Sequence, residues 1–281
     1  MGNYVSLIMD IEKSKTYDLP DRNEIQQYID RCIKNLNELF YEEIQCEVIF
    51  SAGDEFQGLF NDVVTALLYF RLFELLVNPV KIRAGVGIGD WTIKMEQGLS
   101  TQQDGPAYHK ARQAINEAHD KRLQNIRIRS DGDDILANHF INSSFGLKRQ
   151  QNYMQNIVQV IIELLFPFVQ NDFSSKKHDL VKEILADKFE YKLEGLKGSS
   201  LRSERGIGIK TLPNVSPIYI DGKIVASEEV IVKKNTAKTI SEILQCTRQN
   251  VDSVMKRGNT YKIRELDYVA LQYVKMNYGR K

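Results

Sequence analysis

The sequence predicts an α/β fold of the α+β type, in which a mixed sheet with helices on one face precedes a helical segment and a C-terminal helix-turn-helix. Two patterns predict the N-terminal part: short apolar runs alternate with amphipathic stretches, and their order is strand, helix, strand, hairpin strand, helix, strand, helix, strand. A third pattern, an uneven distribution of charge, predicts the C-terminal part. The order departs from the strict alternation of a doubly wound parallel sheet.

Each element of the N-terminal part has a local signal. Residues 3–9 form an apolar run before Asp10, and apolar positions then recur every three or four residues from Asp21, a candidate N-cap, to residue 44. Residues 46–51 and 56–60 flank an Ala-Gly-Asp-Glu turn, which is typical of a hairpin. The later elements are a helix at 61–77, a strand at 81–88, a helix at 107–122 and a strand at 126–129.

The rest of the chain divides into two parts. Residues 134–195 have a mostly helical pattern that Pro167 interrupts, and β-branched runs on both sides of Asp221 predict a hairpin. We therefore predict a sheet domain at 1–132, a helical segment with a hairpin linker at 133–232, and a helix-turn-helix domain at 233–281.

The net charge of +1 conceals an asymmetry between these parts. From Lys233 onward the chain has eleven basic and four acidic residues, a net charge of +7, which leaves −6 on the preceding 232 residues. Such an asymmetry suggests an anionic partner for the tail, and DNA is the partner that we expect.

The segment 239–256 has the hydrophobic spacing of a helix-turn-helix, with Ile240 and Ile243 on the first helix, Val251 and Met255 on the second, and Thr247 as its cap. The polar residues that the second helix would present to a DNA groove are Arg248, Gln249, Asn250, Ser253 and Lys256. A purely structural helical hairpin has the same spacing. The following helix, at 264–277, would support this domain or mediate homodimer formation.

Several classes are excluded by missing signals. The N-terminus has no basic leader or small-residue cleavage site, and the longest apolar stretches fall short of the ~20 residues of a membrane helix. The three cysteines, Cys32, Cys46 and Cys246, have no zinc or disulfide spacing, so we expect a cytoplasmic protein. No GxSxG or HExxH motif occurs.

Carboxylates follow the first strand and occupy the hairpin turn. Asp10 and the pair Asp54 and Glu55 would lie a few ångströms apart if their strands were neighbours. Oxygen ligands of this kind suit Mg²⁺ or Mn²⁺, and a metal site of this kind would permit phosphoryl or nucleotidyl transfer. The alternative is that Asp10 caps a loop and that the turn is merely polar.

Four segments together resemble the SatD family of bacterial proteins: MDIEKSK (9–15), SAGDEFQGLF (51–60), IRAGVGIGD (82–90) and DGPAYHKARQAI (104–115). The resemblance covers roughly residues 4–129. The same region is more distantly similar to the palm-like, ferredoxin-like domain of class III nucleotidyl cyclases and GGDEF-type cyclases. That similarity implies a metal site formed by Asp10, Asp54 and the Ile11 carbonyl, with Glu55 as a further ligand.

Two more groups of residues are candidates for binding phosphate. The turn of Lys13, Ser14 and Lys15, with Arg22 nearby, offers N–H groups and positive charge to a nucleoside triphosphate, although the charged side chains could equally be solvated surface. On the helix after Pro106, Lys110 would meet an anion. Cyclases have an Asn and an Arg on the equivalent helix, which implies Arg112, with His109 or Tyr108 where Asn is expected; His109 could instead be a polar helix-end residue.

We therefore weigh three functions. The first is a nucleotide-responsive transcriptional regulator, in which the palm domain binds a nucleotide with a divalent metal and the tail binds DNA. The second is an active nucleotidyl cyclase or signal-nucleotide synthase that uses two metals, so that the sequence leaves open whether the chain is an enzyme. The third is a structural palm domain with a protein-binding tail.

Overall fold

A computed structural model describes residues 4–95, 98–120, 124–168, 175–191 and 228–279 of the chain. Its centre is a five-stranded sheet in the order β2-β3-β1-β4-β5. The strands are β1 (Tyr4–Ile11), β2 (Ile44–Ala52), β3 (Glu55–Phe60), β4 (Ile82–Gly89) and β5 (Ile126–Arg129). All five lie close to their predicted positions, except that β1 extends through Asp10 instead of ending before it.

The sheet topology confirms the predicted palm-like fold. Strand β1 is antiparallel to both of its neighbours, β3 and β4, and β2 forms an antiparallel hairpin with β3. Helix α1 (Leu19–Leu39) connects β1 to β2, and helix α2 (Val63–Val77) connects β3 to β4. This is the split β-α-β arrangement of ferredoxin-like domains. Strand β5 is parallel to β4, which makes the sheet mixed.

Helices α1 and α2 cover one face of the sheet. Alternate residues of β1, such as Leu7 and Met9, are fully buried in the core that these helices share with the sheet. The first helix begins earlier than predicted: its N-cap is Asp18, whose carboxylate accepts a hydrogen bond from the Asp21 amide at 2.9 Å. Asp18 fits this role because Pro20 in the first turn needs no hydrogen-bond acceptor.

Helix α3 (Pro106–Asp120) lies on the opposite face, although the sequence predicts all helices on one face. The reason is the pair Gly85 and Gly87, which leave this stretch of β4 without side chains on that face. A Cβ built at Gly87 would lie 2.0 Å from the Ala107 carbonyl oxygen and 2.2 Å from the Ala111 amide nitrogen. The backbones of α3 and β4 are therefore in direct contact.

The outer edge of β5 is covered by helix α4 (Ile135–Ile141). Asn138 exchanges two hydrogen bonds with the backbone of Ile128, at 2.7 and 3.0 Å. Asn142, directly after the helix, accepts from the Asn125 and Ile126 amides and donates to the Ile126 carbonyl. Two buried asparagines thus satisfy an edge that would otherwise offer unpaired backbone groups.

The remaining helices are α5 (Phe145–Gln150), α6 (Tyr153–Leu165), α7 (Ser175–Glu190), α8 (Thr236–Leu244), α9 (Arg248–Arg257) and α10 (Thr260–Tyr278). Helix α6 ends two residues before Pro167, as predicted. The predicted hairpin around Asp221 lies outside the described residues. Within the described ranges, no helix combines the length and hydropathy that crossing a bilayer requires.

Helices α8, α9 and α10 share the hydrophobic core of the first two helices and the sheet. Their connection to the body includes buried charges, among them Arg264 and Asp267 of α10, which are 1% and 5% exposed. The division at residues 132 and 232 remains a prediction, and any independent motion of the last part would have to break these contacts.

Candidate functional site

Three charged side chains form a row across the sheet on the face that α3 covers. In the register of the sheet, Asp10 of β1 is paired with Glu55 of β3 on one side and with Arg83 of β4 on the other. Since successive side chains of a strand point to opposite faces, the next residues on this face are Ile8, Gln57 and Gly85. The predicted proximity of Asp10 to the hairpin carboxylates is therefore confirmed.

Asp10 is held by a bidentate ion pair. The Arg83 guanidinium donates from Nε to Oδ1 at 3.0 Å and from Nη2 to Oδ2 at 3.1 Å. Burial nevertheless raises the pKa of the Asp10 carboxyl, because it outweighs the attraction of Arg83 and is assisted by the charges of Asp54 and Glu55. A second cation beside Asp10 would therefore stabilise the ionised form of its carboxylate.

Glu55 is held from the opposite side. Its carboxylate accepts a hydrogen bond from Arg112 Nη2 at 2.7 Å, makes a second contact with Nη1, and accepts a hydrogen bond from the Ser51 hydroxyl at 2.6 Å. Although burial opposes ionisation, the bonds from Arg112 and Ser51 lower the pKa of Glu55. Both Glu55 oxygens are therefore engaged, which makes this residue less available to a metal than its neighbours.

The hairpin turn supplies the third carboxylate. Gly53 has φ 63°, which is the conformation that a two-residue turn requires at its first position. The Ile11 amide donates to the Asp54 carbonyl at 3.3 Å, so the turn is tied to the end of β1. Among the described residues, no hydrogen-bond donor contacts the Asp54 side chain, although its charge acts on Asp10.

A groove runs between this row and α3. One part, of about 360 Å³, is lined by Asp10, Glu55, Arg112, Ile115, Asn116, His119 and Asp120. A second part, of about 230 Å³, is lined by Ile8, Gln57, Gln103, Asp104, Tyr108, His109 and Arg112. Arg112 lines both parts and therefore stands where they meet.

Several residues of this region were not predicted from the sequence, of which Arg83, Gln57 and Asn116 are the clearest. Arg83 had a usable signal, since it is a charged residue within an otherwise apolar strand. Gln57 donates from Nε2 to the Ser100 carbonyl at 2.8 Å, which leaves its amide oxygen as an acceptor toward the groove.

The turn after β1 has a short 3-10 helix at Ser14–Thr16. Lys13 and Lys15 are exposed, whereas Ser14 is buried. Arg22, in the first turn of α1, is half-buried. Lys13 has φ 55°, and its carbonyl accepts a hydrogen bond from the Thr16 hydroxyl at 2.8 Å. The predicted phosphate-binding turn therefore has an ordered local structure and two available ammonium groups.

The candidates on α3 separate into two groups. His109 lines the groove with Arg112, and its Nε2 lies 3.0 Å from Oδ1 of Asp104. The Lys110 ammonium instead donates to the Ile88 carbonyl at 2.9 Å and contacts Asp131 at 2.8 Å. Lys110 is thus a contact between α3 and the sheet and does not line the groove.

No group of three or more His, Cys, Asp or Glu side chains in the described ranges could hold a metal ion by itself. The donors near the turn are hard oxygen atoms, which suit Mg²⁺ or Mn²⁺ by type. Mg²⁺ commonly uses only one or two carboxylates and completes its coordination with phosphate oxygens. Asp10 and Asp54 therefore fit a metal that arrives with a phosphate, and not a metal bound alone.

The segment 239–256 contains two helices with the predicted cap between them, whereas α10 begins at Thr260, four residues before its predicted start. The Thr247 hydroxyl accepts a hydrogen bond from the Asn250 amide at 3.2 Å, which begins α9. Gln245, in the turn between α8 and α9, has φ 50° in a position that favours glycine. The five predicted DNA-contacting side chains are all exposed on α9: Arg248, Gln249, Asn250, Ser253 and Lys256.

Comparison with known proteins gives one extensive match. The model of the SatD family matches residues 4–203, which include the sheet and the whole groove. No curated protein matches this chain. Among solved structures, this chain is similar to a bacterial light-regulated adenylyl cyclase. The TM-score is 0.33 and the identity 12%, over 45% of this chain and 42% of that one. Another structure of a bacterial light-regulated adenylyl cyclase has a TM-score of 0.33 and 14% identity, over 45% and 74% of the two chains.

Proposed function

Since the chain belongs to the SatD family, whose matched region contains the groove, we propose that it binds a nucleotide together with a divalent metal beside Asp10. The nucleotide is a nucleoside triphosphate or another nucleotide, and the metal is Mg²⁺ or Mn²⁺. The observation that carries this proposal is the row of opposite charges, in which Asp10 and Glu55 lie between Arg83 and Arg112.

The charges of the row favour a ligand that has both signs. A lone cation would compete with Arg83 for Asp10 and would leave the guanidinium without an anion. A lone polyphosphate would meet Arg112 but also the carboxylates of Asp10 and Asp54. A metal–polyphosphate complex brings a cation for the carboxylates and an anion for the arginines, so that no buried charge loses its partner.

Each candidate residue has a role in this proposal. Asp10, Asp54 and the Ile11 carbonyl would hold the metal, and Glu55 would position Arg112. Lys13, Ser14, Lys15 and Arg22 would contact phosphates from the turn. Arg112 would contact the phosphate at the centre of the groove, with His109 beside it. We give Lys110 no ligand contact, because its ammonium group is bound to Ile88 and Asp131.

The test is calorimetric titration with each of the four nucleoside triphosphates, with Mn²⁺ present or absent. We expect micromolar binding that needs both partners, and a loss of at least tenfold in affinity in Asp54→Asn, whose side chain has no hydrogen-bond donor to lose among the described residues. Asp30→Asn, whose carboxylate pairs with Lys34 on the exposed side of α1 and away from the groove, is the matched control. Wild-type chain that binds none of the four, with or without metal, would contradict the proposal.

Catalysis is the second candidate, because Arg112 and Asp10 line the same part of the groove. A cyclase or signal-nucleotide synthase releases pyrophosphate when a ribose hydroxyl attacks the α-phosphate. Pyrophosphate release from a bound triphosphate, lost in Asp54→Asn, would establish this activity. Binding without release would favour a regulator instead.

We further propose that α9 binds DNA, so that the chain is a nucleotide-responsive transcriptional regulator. The exposed polar face of α9 supports this role, since Gln249 and Asn250 have the amide groups that read base edges and Arg248 can contact phosphate. Binding of duplex DNA should weaken steeply as salt increases, and Arg248→Ala with Lys256→Ala should reduce it. If the double variant binds as the wild type does, α9 is not the DNA-binding element. Homodimer formation remains a prediction.

A further inference from the structure

Helix α5 lies between the turn that follows Asp10 and the C-terminal helix α10. Its adjacent residues Lys148 and Arg149 contact different partners. Arg149 forms an ion pair with Glu12, which lies in the turn after β1, and Lys148 contacts Asp267 of α10 at 3.2 Å. A single six-residue helix therefore connects the candidate nucleotide site to the C-terminal helices.

The ion pair between Arg149 and Glu12 has further contacts on both sides. Glu12 is two residues after Asp10, and its amide donates to the Lys81 carbonyl at 2.8 Å. Its side chain is 18% exposed and that of Arg149 is 31% exposed. The Arg149 guanidinium also lies over the Phe145 ring, 4.1 Å from its centroid. The ion pair is thus partly shielded from water. Removal of either side chain would leave the other charge partly buried and without its partner.

The contact with α10 is more deeply buried. Asp267 also accepts from Arg71 Nε at 2.5 Å and from the Ser144 hydroxyl. Burial opposes its ionisation, but Lys148 and Arg71 lower the pKa of Asp267. Arg71 continues the network to Glu163, whose carboxylate also accepts from Arg264 of α10 at 2.6 Å. Two residues of α10 are therefore anchored in the body by paired buried charges.

A small cavity lies beside this network. A cavity of about 30 Å³ is bounded by Arg71, Glu74, Lys148 and Asp267, among others, which is enough for one water molecule. Arg71 Nη2 is buried and has no hydrogen-bond partner among the described residues. Lys148 also lies 3.4 Å from Glu74, so its ammonium group has a second acceptor if it leaves Asp267.

We propose that α5 is a coupling element, which transmits the state of the turn after Asp10 to α10 through Arg149 and Lys148. This regulation rests on the proposed nucleotide site. A polyphosphate at Lys13 and Lys15 competes with Glu12 for Arg149. When Arg149 moves toward the phosphate, α5 shifts, Lys148 exchanges Asp267 for Glu74, and α10 is held less tightly.

The first experiment measures this coupling without any ligand, by hydrogen exchange. We expect Arg149→Gln to increase exchange in α10 by about fivefold or more, relative to amides of α3 in the same sample. By reciprocity, Asp267→Asn or, if that variant does not fold, Lys148→Met should increase exchange at residues 12–17 by a similar factor. Arg149→Lys, which keeps the charge, should restore most of the protection.

The control is Arg129→Gln, which removes an arginine–carboxylate pair with Glu117 on the outer side of α3 and should leave α10 unchanged. If Arg149→Gln affects α5 and residues 12–17 but not α10, the ion pairs are local contacts and the proposal is overturned. The same result follows if α10 and α3 lose protection equally.

The second experiment adds ATP and Mn²⁺ to the wild type. Exchange in α10 should increase on binding, and Arg149→Gln should not show this further increase. If calorimetry detects no binding of ATP and Mn²⁺, the proposed nucleotide site fails, while the ligand-free experiment still decides whether α5 couples the turn to α10. If binding is measured but α10 does not respond, the coupling proposal fails alone.

Discussion

The substitution Gly87→Ala tests how α3 is positioned over the sheet. The added Cβ would lie 2.0 Å from the Ala107 carbonyl oxygen and 2.2 Å from the Ala111 amide nitrogen. Both are backbone atoms of a helix, so no side-chain rotation relieves the contact. To restore an ordinary van der Waals distance of at least 3.4 Å, α3 must move away from β4 by about 1.4 Å.

The expected loss in the free energy of unfolding follows from this overpacking and from the contacts that the movement of α3 loosens. Overpacking a close contact typically costs about 1–3 kcal/mol, and here the moving helix also loosens the small apolar cluster of Ile8, Ala111 and Ile115. Replacing a glycine within a strand returns about 0.5–1 kcal/mol. If the loosened cluster offsets what the glycine replacement returns, the net loss in the free energy of unfolding is about 1–3 kcal/mol. Ligand binding should also weaken, because Arg112 moves with the helix.

Urea unfolding followed by circular dichroism and by the fluorescence of Trp91 measures this loss. Trp91 is the single tryptophan of the sequence and lies two residues after the end of β4, in contact with Tyr4. The matched control is Gly146→Ala in α5, where an added Cβ meets nothing within 4 Å. That variant should be more stable by about 0.5–1 kcal/mol. Equal stability of Gly87→Ala and the wild type would refute the close contact between α3 and β4.

Three further predictions concern buried polar groups. Burial lowers the pKa of Lys188 from its ordinary 10.5 to about 7. Above pH 7 the unfolded chain therefore keeps a proton on Lys188 that the folded chain has released. The free energy of unfolding should then rise between about pH 7 and 8.5 by up to about 1.4 kcal/mol per pH unit. Urea titrations at several pH values should show this slope in the wild type and its loss in Lys188→Met. Asn142→Ala leaves the Asn125 and Ile126 amides without their acceptor, and should cost about 2–4 kcal/mol in the same assay, whereas Asn277→Ala on the exposed end of α10 should cost under about 1 kcal/mol. Glu163→Gln removes the charge that Arg71 and Arg264 share and should cost about 3–5 kcal/mol; a near-neutral result would mean that the two guanidinium groups do not depend on it.

The sequence predicted the turns and caps whose hydrogen-bond partners are only a few residues apart. The hairpin turn was predicted from its Gly-Asp pair, and Gly53 adopts the positive φ that the turn needs. The cap of α9 was predicted from Thr247, whose hydroxyl accepts the Asn250 amide. The proximity of Asp10 to Glu55 was predicted on the condition that their strands are neighbours, and the pairing of β1 with β3 meets that condition. In the turn and the cap, the partners are near in sequence.

Long-range partners could not be predicted in this way. In the sequence, Arg71 and Glu163 are charges that interrupt apolar stretches, and this pattern alone does not reveal that they meet each other inside the protein. Their pairing depends on how α2, α6 and α10 pack, which a single helical period does not encode. The N-cap of α1 was misplaced for a simpler reason, since Asp18 and Asp21 are both good caps and only the position of Pro20 distinguishes them.

The position of α3 connects the fold to the proposed function. Gly85 and Gly87 fix how closely the helix approaches β4, and the Lys110 ammonium, bound to the Ile88 carbonyl, restricts its rotation. Arg112 is two residues further along the same helix, so these contacts help to position the guanidinium that binds Glu55. Lys110 therefore contributes to the groove by orienting α3, and Lys110→Met should weaken ligand binding without removing any ligand contact.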